Sequence, residues 1–234
     1  MKNILLASTS SLFGEAYLAY LTSEISSLFD QEVIFIPYAR PGGISHDDYT
    51  VKAAEAFAAL NIKLTGLHTY ADPQTAIRNA AGFFTGGGNT FLLVKQLHEL
   101  DLMDALRASV EKGIPYLGTS AGSNIAGVSM QTTNDMPIVY PPSFQTLGLV
   151  PFNLNPHYLD PDPTSKHNGE TRETRIREFH TQNSEPVIGL REGNWIRVLG
   201  EKITVEGRYD TRIFEPNKPA YEVPPGTLIN FSGL

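Results

Sequence analysis

The chain contains no cysteine, which excludes disulfides, thiolate metal centres and a thiol nucleophile. It also lacks a surplus of positive charge: 25 acidic residues outnumber 18 lysines and arginines, for a formal net charge of −7. A phosphate backbone or an anionic bilayer requires a concentrated cationic face, so neither nucleic acid nor a membrane surface is an expected partner. No apolar run is long enough to cross a bilayer. The first apolar run, Ile4 to Ala7, is short and is broken by Ser8, Thr9 and Ser10, which suits a buried strand better than a secretory leader. Internal repeats, low-complexity tracts and linkers are absent too. One α/β domain over residues 1–234 and a cytoplasmic location are therefore expected.

What is present is an apolar fraction of 41%, enough for a sizeable core, arranged as strand-like runs that alternate with helix-like ones. Ile4 to Ala7, Val33 to Ile36, Leu64 to Leu67, Ala81 to Thr85 and Ile114 to Leu117 read as strands. Glu15 to Leu28, Tyr49 to Leu60, Pro73 to Asn79 and Thr90 to Leu100 read as helices, with Asp72 before Pro73 a strong helix start. Such alternation predicts a mainly parallel sheet with helices on both faces. The pattern then changes. Residues 130–168 are rich in Pro, Asn and Asp, Glu170 to His180 reads as a charged helix, and Val187 to Leu190, Trp195 to Leu199 and Lys202 to Val205 suggest a small C-terminal β meander.

Two glycine-rich turns carry the chemical signal. Gly118-Thr119-Ser120-Ala121-Gly122 lies between the strand ending at Leu117 and a small-residue helical stretch, Ala121 to Val128. A G-x-S-x-G turn in that setting exposes the serine hydroxyl on a strained backbone and frees the next N–H for an oxyanion. Flanking glycines are needed because a side chain there would block the turn. Gly86-Gly87-Gly88-Asn89 follows the strand Ala81 to Thr85 and opens the helix at Thr90. No Lys-Ser or Lys-Thr pair follows, so it is not a phosphate loop, and its spacing is not that of a dinucleotide fingerprint. Two readings remain: a backbone oxyanion donor, the Gly88 N–H acting with that of Ala121, or a tight turn where only glycine fits.

A serine nucleophile needs a base and a carboxylate to orient it. Six histidines compete, of which His46, His68, His98, His167 and His180 sit in polar loops, at element ends or on solvated helix faces. His157, in Asn155-Pro156-His157-Tyr158 after the apolar run Leu147 to Leu154, is best placed to reach a nucleophile at a sheet edge. Asp135, before Met136-Pro137, and Glu192, in Arg191-Glu192-Gly193-Asn194, are both open as its acid. Asp135 could equally close an Asx turn, and Glu192 could be a surface hairpin charge. No metal is expected, because neither His98-Glu99 nor His46-Asp47-Asp48 has zinc spacing. His157 with Asp160 and Asp162 sits among prolines that favour a rigid loop instead.

Taken together, Gly86-Gly87-Gly88-Asn89-Thr90, Ser120-Ala121-Gly122, Thr132-Thr133-Asn134-Asp135-Met136-Pro137-Ile138-Val139, Asn155-Pro156-His157, Gly169-Glu170-Thr171-Arg172 and Glu192-Gly193-Asn194-Trp195 resemble, in this order, the peptidase E family of alpha-aspartyl dipeptidases. The resemblance covers about residues 1–200 and is weaker from Tyr209 on. It implies a fold similar to class I glutamine amidotransferases and a cofactor-free serine peptidase acting on peptides with an N-terminal aspartate (Asp-Xaa). Ser120 falls on the nucleophile, His157 on the base, and Asp135 or Glu192 on the acid. Amidotransferases carry the acid two residues after the histidine, where this chain has Leu159, and they use cysteine. Thr119 departs from bulkier residues in relatives. Arg172 and Asn89 fall within the motifs as substrate-binding residues. A guanidinium fork at Arg172, with Arg175 one turn on, matches a β-carboxylate, although Glu173 and Arg177 at i,i+4 also suit a solvated, ion-paired helix. The substrate is thus a small peptide, and a homodimer is left open. The competing readings are a cyanophycinase-like exopeptidase acting on aspartate-containing polymers, an α/β-hydrolase esterase (disfavoured by the long chain after His157) and a non-catalytic binding relative.

Overall fold

Burial on both faces of the first strand sets the architecture. In the computed structural model, which describes residues 1–164, 166 and 169–231, β1 (Asn3–Ala7) sends Ile4 and Leu6 into one hydrophobic core and Leu5 and Ala7 into another. A strand buried on both faces belongs inside a sheet covered on both sides. β1 is central to an eight-stranded sheet ordered β12-β9-β8-β1-β5-β4-β2-β3. Here β2 is Val33–Ile36, β3 Leu64–Gly66, β4 Phe83–Thr85, β5 Tyr116–Thr119, β8 Asn194–Leu199, β9 Lys202–Gly207 and β12 Thr227–Ile229. The five strands from β1 to β3 are mutually parallel, while β8, β9 and β12 extend the sheet in antiparallel fashion.

Helices α1 (Thr22–Leu28) and α2 (His46–Ala58) cover one face, through Ile25, Leu28, Tyr49, Ala53 and Phe57. The other face carries α3 (Pro73–Arg78), α4 (Thr90–Glu99), α5 (Met103–Glu111) and the single turn α6 (Ala121–Asn124). A second, four-stranded sheet, β11-β10-β7-β6, contributes Leu154, Ile188 and Ile213 to that same core. Its members are β6 (Asn153–Pro156), β7 (Val187–Leu190), β10 (Thr211–Phe214) and β11 (Tyr221–Val223), and α7 (Arg172–Phe179) packs against it through Ile176. Four helices start on side-chain caps: Ser45, Asp72, Asn89 and Thr171 accept from Asp48, Thr75, Leu92 and Thr174 N–H groups respectively. Among the described residues, no helix is long and apolar enough to cross a membrane.

The alternating pattern thus gives the α/β sheet with helices on both faces, and three details differ from expectation. The helix expected from Glu15 begins only at Ala19, as a 3-10 turn. Residues before it form a loop closed by Leu18 N–H to Ser10 O at 2.7 Å, with Leu18 at φ 59°. The expected C-terminal meander is split: Val187–Leu190 runs parallel to β6 in the second sheet, whereas Asn194–Leu199 and Lys202–Gly207 join the large one. The elbow helix is four residues long rather than reaching Val128.

Register positions the site. Ala7 lies opposite Thr119, and Thr85 opposite Gly118, so Ser8, Gly86 and Ser120 leave the sheet at one carboxyl edge. Trp195 lies opposite Ala7 on the antiparallel side, which brings residues 192–194 to that edge. Pro156 pairs with Leu190 in the second sheet, so His157 and Arg191 emerge together beside it.

Candidate active site

Ser120 joins β5 to α6 at φ 53° and ψ −111°, a region that non-glycine residues occupy at a cost of about 1–3 kcal/mol. The strain is held by contacts on every side. Ser120 N–H donates to Ala7 O at 3.1 Å, and Ser123 Oγ bonds both Ala7 O and Gly118 O, at 2.7 and 2.8 Å. Gly122 admits no side chain, because a Cβ there would collide with the Thr85 carbonyl, and one on Gly118 would strike the Gly122 carbonyl.

The structure brings three of the expected residues into one relay. His157 Nε2 lies 2.9 Å from Ser120 Oγ, and His157 Nδ1 lies 2.6 Å from Glu192 Oε1. The imidazole and the carboxylate are each partly exposed, so the relay opens to solvent. His157, at φ 55°, follows the last residue of β6. Glu192 sits in the turn before β8, which Asn194 N–H closes on Arg191 O at 3.0 Å. Its neighbour Arg191 fastens that turn with forked bonds to Asp160 and Glu222. Those bonds hold both carboxyls below their usual range and the guanidinium above its own.

Asp135 lines the recess beside Ser120 but bonds α4 instead of the imidazole. Its Oδ2 accepts from Thr90 N–H at 2.7 Å, from Thr90 Oγ1 at 2.6 Å and from Thr133 Oγ1 at 3.1 Å, which satisfies a donor at the start of α4. Asn89 serves the same helix end: Oδ1 accepts from Leu92 N–H at 3.1 Å and Nδ2 donates to Met136 O at 2.9 Å. Its amide is therefore engaged structurally at both ends rather than held out for a ligand. Asn134 bonds Pro156 O at 2.7 Å, so the Thr132–Met136 segment ties α4 to the strand that presents His157. A recess of about 20 Å³ beside Ser120 is lined by Thr90, Ala121, Asn124, Asn134, Asp135 and His157, among others. A wider cavity of about 510 Å³ shares Thr133 and Asp135 and runs between Phe91 of α4 and Arg175 and Phe179 of α7.

The glycine loop abuts the serine: a Cβ on Gly87 would sit 3.0 Å from Ser120 Cβ and 3.5 Å from Oγ. Gly88 has φ +148° and leaves no room for a side chain against the Ala39 carbonyl. Among the described residues, the N–H groups of Gly88 and Ala121 donate to no protein acceptor. Arg172 is the first residue of α7 and, among the described residues, has neither a hydrogen bond nor an ion pair. Burial lowers its pKa, Arg175 adds to that, and the charge of Asp135 opposes it. Arg175 lies 3.7 Å from Glu170, and Arg177 pairs with Glu173 at 2.6 Å. The other histidines stay away from the relay: His68 bonds Asp47, His46 meets the His68 ring edge-to-face, His98 reaches Gln145 O and His180 reaches Glu185 O. His167 lies outside the described residues.

Sequence reasoning did not single out Ser8. Fully buried, it accepts from His157 N–H at 2.9 Å, donates to Leu190 O at 2.7 Å, and its own N–H bonds Asn194 O at 3.1 Å. With the adjacent Ala7 carbonyl on Ser120, this one chain end registers all three segments of the relay. The only hint in the sequence is a small hydroxyl residue directly after an all-apolar strand. Ser8→Ala is expected to lower kcat by about 10- to 100-fold through misplaced groups, with KM little changed. Unfolding should shift by only about 1–3 kcal/mol. Steady-state kinetics beside denaturant melts would check both, and an unaltered kcat would refute this positioning role.

A hydroxyl raised on a strained turn at the carboxyl edge of an α/β sheet, against an imidazole and a loop of free N–H groups, belongs to a hydrolase. The family description "Peptidase family S51" matches residues 4–206. A probable alpha-aspartyl dipeptidase of Drosophila melanogaster is 44% identical over 98% of this chain and 97% of its own length. A peptidase E of Streptomyces coelicolor is 45% identical over 96% and 92%. Among solved structures, a peptidase from an acI-B1 Actinobacterium superposes with a TM-score of 0.75 at 16% identity, covering 99% of this chain and 97% of that one. A putative peptidase E from Listeria monocytogenes gives 0.65 at 20% identity, over 89% and 100%. The chain belongs to peptidase family S51, and it is a peptidase.

Proposed function

We propose that this peptidase hydrolyses dipeptides bearing an N-terminal aspartate, through Ser120 as nucleophile, His157 as base and Glu192 as the acid that orients it. The observation that carries the reading is the continuous Glu192–His157–Ser120 hydrogen-bond chain. Ser120 Oγ attacks the aspartyl carbonyl carbon while its proton passes to His157 Nε2. The carbonyl π electrons move onto oxygen, where the Gly88 and Ala121 N–H groups receive the oxyanion; one such donor contributes about 3–4 kcal/mol to the transition state. When the tetrahedral adduct collapses, the C–N bond breaks and the amine leaves with the proton from His157. Water, deprotonated by the same imidazole, then cleaves the aspartyl ester and restores the hydroxyl. Glu192 stays ionised throughout and stabilises the imidazolium.

Specificity for aspartate rests on Arg172. A cation at the first position of a helix opposes the macrodipole, and this one has no internal partner among the described residues. Both facts fit a guanidinium kept for an incoming β-carboxylate. The first test is release of free aspartate from Asp-Leu by the purified protein, with no release from β-Asp-Arg; the opposite preference would favour the polymer-degrading reading. Arg172→Ala is expected to cut kcat/KM for Asp-Leu by about 10- to 100-fold, bringing it down toward Asn-Leu, without altering the melting midpoint. Equal kcat/KM in variant and parent would reject Arg172.

A further inference from the structure

Two arginines, Arg172 and Arg40, lack both a hydrogen bond and an ion pair among the described residues. An Asp-Xaa dipeptide carries two carboxylates: one on the aspartate side chain and one at the C-terminus of the leaving residue. The second has no counter-charge in the mechanism above. Its carbon lies only about 3–4 Å from the scissile carbonyl carbon by standard bond lengths, so whatever recognises it must reach toward the nucleophile from a neighbouring segment.

Arg40 lies on the glycine-loop side of the nucleophile. The carbonyl of the residue before it, Ala39, accepts Asn89 N–H at 2.7 Å and is the group against which Gly88 is packed. The guanidinium lies over the ring of the buried Tyr49, with Cζ 4.4 Å from the ring centroid. Tyr49 O–H donates to Gly87 O at 3.2 Å, and Gly87 is the residue pressed against Ser120. One aromatic ring and one loop residue thus separate the cation from the nucleophile. Arg172, by contrast, senses the charge of Asp135, on the recess side of Ser120. The Nε of Arg40 is buried without an acceptor, a condition that an arriving carboxylate relieves. The cation–π contact with Tyr49 restrains the guanidinium without occupying its N–H donors, which suits bidentate recognition of a carboxylate.

We propose that Arg40 binds the free α-carboxylate of the leaving residue, and that this contact restricts the enzyme to dipeptides. The proposal rests on the Asp-Xaa reading of the site. It is tested with Asp-Leu and its C-terminal amide, Asp-Leu-NH2, as paired substrates for the parent enzyme, Arg40→Gln and Arg40→Lys. The parent is expected to prefer the acid by about 10- to 100-fold in kcat/KM. Arg40→Gln should bring the ratio close to one, and Arg40→Lys should recover part of it. Melting curves of all three proteins establish that the comparison is made between folded enzymes. An acid-to-amide ratio in Arg40→Gln equal to the parent's overturns the proposal, as does a parent that cleaves both substrates equally well. A parent that releases aspartate from neither substrate removes the underlying reading and this proposal with it. Loss of discrimination between Asp-Leu and Asn-Leu in Arg40→Gln, with the acid-to-amide ratio kept, reassigns Arg40 to the aspartate side chain and overturns it as well.

Discussion

Ser120→Ala is expected to lower kcat for Asp-Leu by roughly 10⁴- to 10⁶-fold, because the covalent step disappears and only the oxyanion donors and substrate binding remain. The fold should survive. Alanine keeps the Cβ, and the three main-chain bonds that hold the turn, Ser120 N–H to Ala7 O and the Ser123 and Asn124 N–H groups to Ser120 O, are independent of the side chain. A second variant separates catalysis from conformation. Ser120→Gly should be just as inactive yet more stable than Ser120→Ala by about 1 kcal/mol, because glycine adopts φ 53° without penalty. Kinetics with a coupled assay for aspartate and parallel denaturant melts read both effects. Appreciable turnover by Ser120→Ala would sink the nucleophile assignment. A glycine variant less stable than the alanine one would show that the turn stores no strain.

Much of this architecture was legible because it is written in local pattern. The parallel strands are short, mainly apolar runs, three of them flanked by Pro37, Gly82, Gly86 or Pro115, and the caps at Asp72 and Asn89 announce α3 and α4. α5 carries no such start signal: Met103, Leu106 and Val110 bury a regular face, but the residue before it is Leu102, which offers no side-chain cap. The split of the C-terminal strands was illegible for a different reason. Val187–Leu190 and Asn194–Leu199 are separated by only a turn, like any hairpin, and their assignment to different sheets is decided by pairing with β6 and β1, far away in sequence.

The site divides along the same line. Serine, histidine and glycine loop announce themselves, because a strained turn and a tight approach need particular residue types. The partnership between them does not. Ser8 is a plain hydroxyl in a polar stretch until strand register places it under His157, and Arg40 is one cation among 18 lysines and arginines until its lack of a partner is seen. Local sequence encodes the parts, whereas long-range pairing encodes which parts meet.

The acid is the sharpest instance, since Asp135 and Glu192 were equal candidates on sequence. The geometry gives them opposite expectations. Glu192→Gln places an amide against His157 Nδ1. Where the amide N–H faces it, Nδ1 must accept, the proton moves to Nε2, and the nitrogen facing Ser120 can no longer take the hydroxyl proton. Where the amide oxygen faces it, the tautomer is kept but the charge that stabilises the imidazolium is gone. A fall in kcat of about 10²- to 10⁴-fold is expected, with KM little changed. Asp135→Asn keeps an oxygen able to accept Thr90 N–H and Thr90 Oγ1, so kcat should drop less than about tenfold by this logic. Asp135→Ala leaves those donors empty and should cost about 1 kcal/mol of stability, with any loss of activity following from the displaced Asn134–Pro156 tether. The two asparagine- and glutamine-type variants change the same charge by the same amount, so general electrostatics cannot produce the contrast. Only contact with the imidazole can. A kcat loss in Asp135→Asn that matches Glu192→Gln would therefore return the acid to the α4 side of the site and leave the 2.6 Å contact at Glu192 as a bystander.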